Sequence, residues 1–257
     1  MLTFMTLNLR FDNDQDGDNA WHFRKEIVLD LVRNHSPTIL GTQEGTTGQL
    51  SYLADSLEDY ELLAPGRFWE KDCQYCSLYF RRDEVRPVSG GEFWLSLTPH
   101  VHRSGGWDSA YPRMISYGVF QELKNDRIFL AGVTHLDHMG SEARIRQAEI
   151  IREFVIRQGS PVVLMGDFND RPGSAAHKVL TSPDSGMLDT WEALRKPENE
   201  SSMTYHRFTG TPQVFRMDWI LASPHFKVFD ARVIHDHAPG ARYPSDHFPY
   251  LTRLDWA

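Results

Sequence analysis

The segment PVVLMGDFND, residues 161–170, decides the fold prediction because an apolar run passes directly into a cluster of polar residues. The run VVLM is typical of a strand, and Gly166, Asp167 and Asn169 favour a turn after it. A carboxylate and an amide at a strand end lie at the edge of a sheet, where functional sites are commonly built. A plain strand-to-turn junction has the same composition, so the interpretation needs support from the rest of the chain.

Polar residues stand at the ends of other apolar runs in the same way. Two occur in the first half of the chain, and the motifs THLDH, RMDWIL and PSDHFPY add more in the second half. These residues are Asn8, Glu44, His135, Asp218, Ser245, Asp246 and His247. We expect them to converge with Asp167 and Asn169 on one rim of a sheet.

The set is rich in carboxylate and amide oxygen and poor in thiolate. Hard oxygen donors with open positions suit Mg²⁺ or Mn²⁺, which bind through few carboxylates together with water and substrate phosphate. The chemistry indicated is metal-assisted attack of water on a phosphoester.

Periodicity predicts many strands and few helices. The stretch LTFMTLNLR alternates as a half-buried strand does, with Met5, Leu7 and Leu9 on one face and Asn8 on the other. Helices are predicted at 21–34, near 47–57, and from Ser141 as N-cap to Gly159 just past the end. Further strands are predicted at TILGTQE, 60–64, 76–81, 114–123, 127–135, PVVLMGD, MDWIL, FKVFDARVI and HFPYLTRL. This pattern favours two packed sheets flanked by helices, in one domain over 1–257, since no linker or repeat divides the chain.

Six motifs, in this order over nearly the whole chain, carry a family resemblance: TLNLR, TQE, THLDH, GDFND, MDWIL and SDHFPY. Together they resemble the endonuclease/exonuclease/phosphatase superfamily, which includes pancreatic deoxyribonuclease. The resemblance implies an α/β (α+β), DNase I-like fold, a four-layer αββα sandwich of two mixed sheets with the site at one edge. It also implies hydrolysis of a phosphomonoester or phosphodiester.

The resemblance also implies metal ligands. Glu44 corresponds to the principal ligand of a divalent ion, Mg²⁺ or Mn²⁺, which acts as a Lewis acid on the phosphoryl oxygen. Asn8 and Asp246 correspond to additional direct or water-mediated ligands.

Catalytic roles follow from the same match. Asp167 is expected to orient and deprotonate the attacking water, and Asn169 to donate to the developing charge on phosphorus. His247, with Asp218 fixing its tautomer, is expected to contact the phosphate or assist proton transfer. His135 is expected to donate to a phosphate oxygen.

One position departs from the family pattern. Many members carry a glutamate that holds the histidine corresponding to His135, and our alignment places Gln74 there. Either His135 acts as a neutral donor, or another acid such as Glu70 or Asp72 replaces the glutamate.

Two further residues are open between a substrate role and a structural one. Arg113, in AYPRMISYG, is predicted either to contact the substrate or to form a structural ion pair. His206 precedes a strand that faces the same rim, and substrate contact is the hypothesis for it. Arg144 and Gln147, on the first turns of the long helix, are interpreted as a structural buried pair.

Four residues are interpreted as structural. Asp137 and His138 read as loop polar residues and are left out of the core site. Cys73 and Cys76, in CQYC, lack the second ligand pair that a zinc site requires, so we interpret them as ordinary cysteines in a strand, with zinc or redox chemistry as the alternative.

The acidic stretch DNDQDGDNAWHF, residues 12–23, begins like an EF-hand calcium loop. Its twelfth position is Phe23 rather than the bidentate glutamate that such a loop needs. We expect the stretch to shape the cleft and to start the next helix, with Asp18 or Asn19 as cap. Adventitious calcium binding is the alternative.

Charge and hydropathy bear on partners. A net charge of −8 argues against strong non-specific binding to duplex DNA, which depends on a basic surface. The start MLTFMTLNLR does not resemble an export signal, and no run approaches about 18 apolar residues, so a soluble, cytoplasmic monomer that does not bind membranes is expected.

The substrate prediction is a phosphorylated small molecule or a nucleic-acid fragment. A small-substrate phosphodiesterase or phosphatase is favoured over a Mg²⁺-dependent nuclease acting on DNA or RNA, and both over a lipid enzyme. A catalytically inactive protein that binds a phosphorylated ligand is a further alternative. The loop 98–113, TPHVHRSGGWDSAYPR, is expected to border the pocket.

Overall fold

Two six-stranded sheets pack face to face in the computed structural model, which describes residues 1–71, 73–159 and 161–257. The strands are β1 (Leu2–Asn8), β2 (Ile39–Gly45), β3 (Tyr60–Leu63), β4 (Tyr75–Arg81), β5 (Val85–Trp94), β6 (Met114–Glu122), β7 (Ile128–His135), β8 (Val162–Asp167), β9 (Leu188–Asp189), β10 (Asp218–Ala222), β11 (Phe226–Val233) and β12 (Tyr250–Trp256). The α-helices are α1 (Trp21–His35), α2 (Thr47–Ser56), α3 (Ser141–Gln158), α4 (Ala175–Leu180) and α5 (Thr190–Ala193). Short 3-10 helices cover Asp14–Asn19 and Glu200–Ser202.

Each sheet has one parallel pair of strands at its centre. The first sheet has the order β11-β12-β1-β2-β4-β3, with β1 and β2 parallel. The second has the order β5-β6-β7-β8-β10-β9, with β7 and β8 parallel. All other pairs are antiparallel. Both sheets are therefore mixed, as the family resemblance implies.

The sheets meet in a tightly packed core. A Cβ atom added to Gly41 of β2 would lie 2.6 Å from the sulfur of Met165 on β8, so the two sheets interlock at this point. Side chains of α1 and α2 pack against the outer face of the first sheet, and α3 and α4 against the second. The four-layer αββα sandwich is thus confirmed.

The prediction of a half-buried first strand is wrong in one respect. Met5, Leu7 and Leu9 do share a face, but β1 is buried on both faces because it lies between the helical layer and the second sheet. Asn8 is consequently buried as well, at 1% exposure.

The helix boundaries predicted from the sequence agree with the structure more closely than the predicted helix caps do. The N-cap of α1 is Ala20, without a side-chain cap, so the prediction of Asp18 or Asn19 is wrong. The guanidinium of Arg24 instead donates to the carbonyl oxygen of Asn19. Gly159 ends α3 in the left-handed conformation, as expected.

The N-cap of α3 is Gly140 rather than Ser141. The side chain that caps this helix comes from a distant loop, since Asp108 Oδ1 accepts a hydrogen bond from the amide of Ala143 at 2.7 Å. A carboxylate in this place satisfies free amides at the helix start.

Strand β5 has no counterpart among the predicted strands. It contains Pro87, Gly90 and Gly91 and, among the described residues, pairs only with β6, with an irregularity between Pro87 and Ser89. Proline and glycine are typical of an edge strand, where a missing amide donor has no cost to the ladder. Among the described residues, no helix is both long and apolar enough to cross a membrane.

Candidate active site

The ends of the central strands bring the predicted polar residues to one edge of the sandwich. Asn8 ends β1, Glu44 lies one residue before the end of β2, and His135 and Asp167 end β7 and β8. Asp218 begins β10 and lies opposite Asp167 in the antiparallel register. Because parallel neighbours end at the same edge and an antiparallel neighbour begins there, all five side chains share one rim.

Asn8 links the two sheets at this rim. Its Nδ2 donates to Glu44 Oε1 at 3.1 Å and to Asp167 Oδ2 at 3.0 Å, while its Oδ1 accepts from the amide of Arg10 at 2.9 Å. The second oxygen of Glu44 accepts from the amide of Phe11 at 3.1 Å. The carboxylates of Glu44 and Asp167 are thus held within reach of one amide group.

Glu44 and Asn169 both adopt a left-handed backbone conformation, with φ of 60° and 50°. For a residue other than glycine this conformation costs about 1–2 kcal/mol. The pairing of β2 with β4 is also irregular between Thr42 and Gly45, which gives the strand a bulge at Glu44. The chain therefore leaves regular geometry at two of the predicted site residues, a feature that clusters at functional sites.

A buried chain of charged groups lies beside this network. His247 Nδ1 is 2.9 Å from Asp218 Oδ2, and His247 Nε2 is 3.8 Å from Asp167 Oδ2. Burial alone would lower the pKa of His247, but the carboxylates of Asp218 and Asp167 raise it well above its ordinary value. His247 therefore carries a positive charge near neutral pH.

The pKa of Asp167 is also raised, first by burial and then by Asp218, against the opposing effects of His247 and Asn8. A carboxylate with a raised pKa is a better proton acceptor than an exposed aspartate. The amide of Asn169 donates to Asp167 Oδ1 at 2.9 Å, which fixes the orientation of the carboxylate.

His135 lies between Asn169 and Asp167. Asn169 Nδ2 is 2.9 Å from His135 Nε2, and Asp167 Oδ2 is 3.4 Å from the same atom. Burial, followed by the nearby Arg113 guanidinium and His247 imidazolium, lowers the pKa of His135 well below its ordinary value. The lowered pKa indicates a neutral ring, and the donor role in the first of the two alternatives stays a prediction.

The second alternative, an acid that replaces the missing glutamate, is wrong for Glu70. Its carboxylate oxygens pair with His102 at 3.2 Å and Arg103 at 2.9 Å instead. Gln74 is exposed and lines the cavity described below, and Asp72 lies outside the described residues.

The oxygen donors at the rim fit a hard divalent cation. Asp246 is buried, and its pKa is raised by burial and, among other charges, by Glu44. Two carboxylates that destabilise each other in this way favour a cation between them. Asp167, Asp218 and His247 also place ligand atoms within 4.8 Å of one another. Glu44, Asn8 and Asp246, which the family resemblance implies as ligands, are a second candidate set.

A cavity of about 670 Å³ opens from this rim. The end at the rim is lined by Glu44, Asp167, Asn169, His135, Asp246 and His247, and the walls by Arg10, Phe11, Cys73, Gln74, Tyr75, Cys76, Trp94, Arg103, Tyr111, Pro112, Arg113, Met114, His138, Tyr205 and Met217. The loop 98–113 therefore borders the pocket, as expected.

His206 is not brought to the cavity. It is fully buried, its ring stacks on Phe248 at 3.8 Å between centroids, and its Nδ1 accepts from the amide of Gly210. Cys73 and Cys76 are free thiols in the cavity wall, and burial raises the pKa of Cys76 to about 12. Such a thiol is a poor nucleophile and a poor metal ligand.

The acidic stretch 12–23 contacts the cavity wall through Asp16 and Arg10. Both carboxylate oxygens of Asp16 accept from the guanidinium of Arg10, at 2.8 and 2.9 Å, and Arg10 lines the cavity beside Glu44. Because Asp16 is engaged by Arg10, the arrangement does not favour a calcium site, and no metal-ligand group among the described residues includes this stretch.

Two residues that the sequence analysis set aside, and one that it did not consider, lie at or next to the cavity. His138 lines the cavity, and the fully buried Asp137 lies behind it. Arg103, in the loop 98–113, also lines the cavity and was not singled out. The THLDH motif contained the available signal for the first two, because a second Asp-His pair directly follows the predicted catalytic histidine.

Comparisons with solved structures support this architecture. An endonuclease/exonuclease/phosphatase family protein from Bacteroides thetaiotaomicron is 29% identical, with a TM-score of 0.90 over 100% of this chain and 98% of that one. A protein of the same description from Bacteroides vulgatus is 29% identical, with a TM-score of 0.91 over 100% and 99%. A mannosyl-6-phosphatase from Bacteroides thetaiotaomicron is 29% identical, with a TM-score of 0.89 over 100% of both chains.

A search of curated proteins found no match. The model of the endonuclease/exonuclease/phosphatase family matches residues 5–247, which is most of the chain. The chain therefore belongs to the endonuclease/exonuclease/phosphatase family and is a phosphoric ester hydrolase.

Proposed function

We propose that this hydrolase depends on a divalent cation and acts on a small phosphorylated molecule, with a sugar phosphate monoester as the favoured class. The observation that carries the proposal is the composition of one cavity. Its end at the rim combines buried carboxylates with a positively charged His247, and its walls combine aromatic, amide and cationic side chains. Such a cavity matches small-molecule sites, which occupy about 300–1,000 Å³.

Glu44, Asn8 and Asp246 would hold the cation, Mg²⁺ or Mn²⁺. When bound, the ion supplies Lewis acidity toward a phosphoryl oxygen and balances the carboxylate charge. The bulge at Glu44 aims its carboxylate at the same region as the carboxylate of Asp167, and the contacts of both with Asn8 support this placement.

Asp167 would orient the attacking water and accept its proton at a carboxylate oxygen. Burial and Asp218 raise its pKa, which brings its basicity closer to the working pH. The amide of Asn169 keeps the carboxylate in place, so that little reorganisation accompanies proton transfer.

Three groups would stabilise negative charge on the phosphoryl oxygens. Asn169 would donate from its side-chain amide once it releases His135 Nε2, His135 from a neutral ring with its proton on Nε2, and His247 from a charged ring. Asp218 keeps the imidazolium of His247 paired and oriented through a bond to Nδ1 at 2.9 Å.

The side chains in the wall of the cavity favour a sugar phosphate as the substrate class. Trp94 and Tyr111 offer aromatic surface, and Gln74 and Arg103 offer hydrogen-bond donors, a combination that suits a sugar ring. The similarity to a mannosyl-6-phosphatase over the whole of both chains favours the same class. The net charge of −8 speaks against tight binding of a nucleic-acid strand.

A metal-by-substrate screen tests the proposal. Phosphosugars, nucleotides, aryl phosphate mono- and diesters, single-stranded DNA and RNA are each assayed with Mg²⁺, Mn²⁺ and EDTA. Highest kcat/KM on a phosphosugar with Mg²⁺ or Mn²⁺, and none with EDTA, supports it. Preference for DNA or RNA indicates a nuclease, full activity in EDTA contradicts the metal proposal, and binding without turnover of any substrate indicates an inactive binding protein.

A further inference from the structure

Three arginines line the cavity, and they differ in how their charge is balanced. Arg10 is paired through two hydrogen bonds with Asp16, and Arg103 donates to Glu70 at 2.9 Å. Among the described residues, Arg113 forms an ion pair but no hydrogen bond with a carboxylate. Its Nε lies 3.5 Å from Asp137 Oδ2 and, although buried, makes no hydrogen bond.

The contact between Arg113 and Asp137 is an ion pair without a hydrogen bond, because the oxygens of Asp137 already accept from other donors. The side chain is fully buried and accepts five hydrogen bonds. The donors are Ser109 Oγ, Ala110 N and Tyr111 N at Oδ2, and Met139 N and Gly140 N at Oδ1, at 2.7 to 3.2 Å. These backbone donors lower the pKa of Asp137 to about 2 against the effect of burial, so the carboxylate is ionised.

The five bonds join two segments that flank the cavity. One is Ser109–Tyr111, which leads directly into Arg113, and the other is the turn that carries His138. The backbone of Asp137 is held in turn by α3, since its amide donates to Gln147 at 3.0 Å and its carbonyl accepts from Arg144 at 3.0 Å. Arg144 and Gln147 therefore support Asp137 rather than each other.

Arg113 and His138 form a pair on the cavity wall. Arg113 Nη2 lies 3.2 Å from His138 Nδ1, and the ring of His138 stacks on Tyr111 at 5.7 Å. Arg113 lines the cavity although it is about nine-tenths buried, and its Nε, on the side of Asp137, is buried without a hydrogen bond. A largely buried guanidinium that no carboxylate binds by hydrogen bonds favours an anionic ligand where it meets the cavity.

We propose that Asp137 is a positioning residue that holds Arg113 and His138 as a binding wall for the phosphoryl group of a monoester. The proposal rests on the proposed function and adds to it a subsite outside the metal and water-activating residues. Arg113 supplies a planar pair of donors to two phosphoryl oxygens, a geometry that guanidinium and phosphate share. Asp137 touches no substrate and acts through the two segments it joins and through its ion pair with Arg113.

Inorganic phosphate is the probe, with binding measured by calorimetry in the presence of Mg²⁺, so that no turnover is required. Asp137→Asn keeps the volume but replaces one acceptor oxygen with an NH2 that opposes the backbone donors. We expect it to weaken phosphate binding about tenfold or more, with Arg113→Met weakening it to a similar extent. Asp83→Asn, an exposed carboxylate paired with Arg81 outside the cavity, is the matched control and leaves binding unchanged.

The double variant separates positioning from general damage. If Asp137 acts through Arg113, adding Asp137→Asn to Arg113→Met weakens phosphate binding by less than about twofold, because the effects are not additive. If Asp137→Asn weakens phosphate binding by the same factor in the native protein and in the Arg113→Met variant, the proposal is overturned. Where Asp137→Asn does not fold, Ser109→Ala replaces it, and native phosphate affinity in the folded variant overturns the proposal.

The outcome is distinguishable from failure of the proposed function. A protein that binds phosphate through coupled Asp137 and Arg113 but hydrolyses no monoester leaves this inference standing and contradicts the function. A protein that hydrolyses monoesters, but in which the effects of Asp137 and Arg113 on phosphate binding are independent, supports the proposed function and contradicts this inference. No measurable phosphate binding by the native protein overturns the inference.

Discussion

His247 Nδ1 lies 2.9 Å from Asp218 Oδ2, in a buried pair that joins the last motif of the chain to the first residue of β10. The pair keeps an imidazolium beside Asp167 where burial alone would neutralise it. We expect Asp218→Asn to lower kcat by about 10- to 100-fold, the usual effect of losing a supporting carboxylate. Steady-state kinetics check this against Asp83→Asn, and a native kcat in folded Asp218→Asn would remove the supporting role.

Asp167→Asn separates catalysis from stability. Loss of the proton acceptor is expected to reduce kcat by about two orders of magnitude or more. The melting temperature should not fall, because the substitution removes a buried carboxylate whose charge is disfavoured by burial and by Asp218. Kinetics and thermal unfolding on the same preparation test both parts, and near-native turnover contradicts the assignment.

Glu44→Gln tests the metal ligand. The amide keeps the size of the side chain and the same left-handed backbone but loses the charge that the cation requires. We expect the Mn²⁺ concentration for half-maximal activity to rise about tenfold or more, with metal binding by calorimetry weakened in parallel. Unchanged metal affinity would exclude Glu44 as the principal ligand.

The lowered pKa of Asp137 predicts that the free energy of unfolding depends on pH. Its pKa is lowered from 3.8 to about 2, so its contribution is fully present above the unfolded-state value and is lost as the pH falls toward 2. The full effect is about 2 kcal/mol, and roughly half is lost by pH 3. Denaturant unfolding of the native protein and Asp137→Asn between pH 3 and pH 6 should give a difference that narrows at low pH. A constant difference contradicts the prediction.

The backbone directly before Asp167 requires glycine, at position 166. Its φ is 154°, and a Cβ there would lie 2.1 Å from the carbonyl oxygen of Thr134 on the neighbouring strand. Gly166→Ala is expected to destabilise the fold by about 3 kcal/mol or more, since backbone must move. Gly48→Ala is the matched control, because an added Cβ there meets nothing within 4 Å. Equal melting temperatures for the two variants would disprove the constraint.

Local signals in the chain determined the layers and the rim. Apolar runs that end in Asn8, Glu44, His135 and Asp167 are short-range patterns, and parallel strands necessarily present such ends at one edge. The helix bounds could likewise be predicted, since amphipathic periodicity and Gly159 lie within the helix itself or next to it.

The sequence did not predict which polar residues support the site, because their contacts form between distant segments of the folded chain. Asp137 receives donors from residues 26 to 28 positions earlier, and Asp108 caps a helix 35 residues later. His206, predicted at the rim, is buried against Phe248, and Glu70 pairs with a neighbouring loop rather than with His135. Periodicity reports which face of an element is apolar, whereas these contacts depend on how distant loops meet after the sheets have packed.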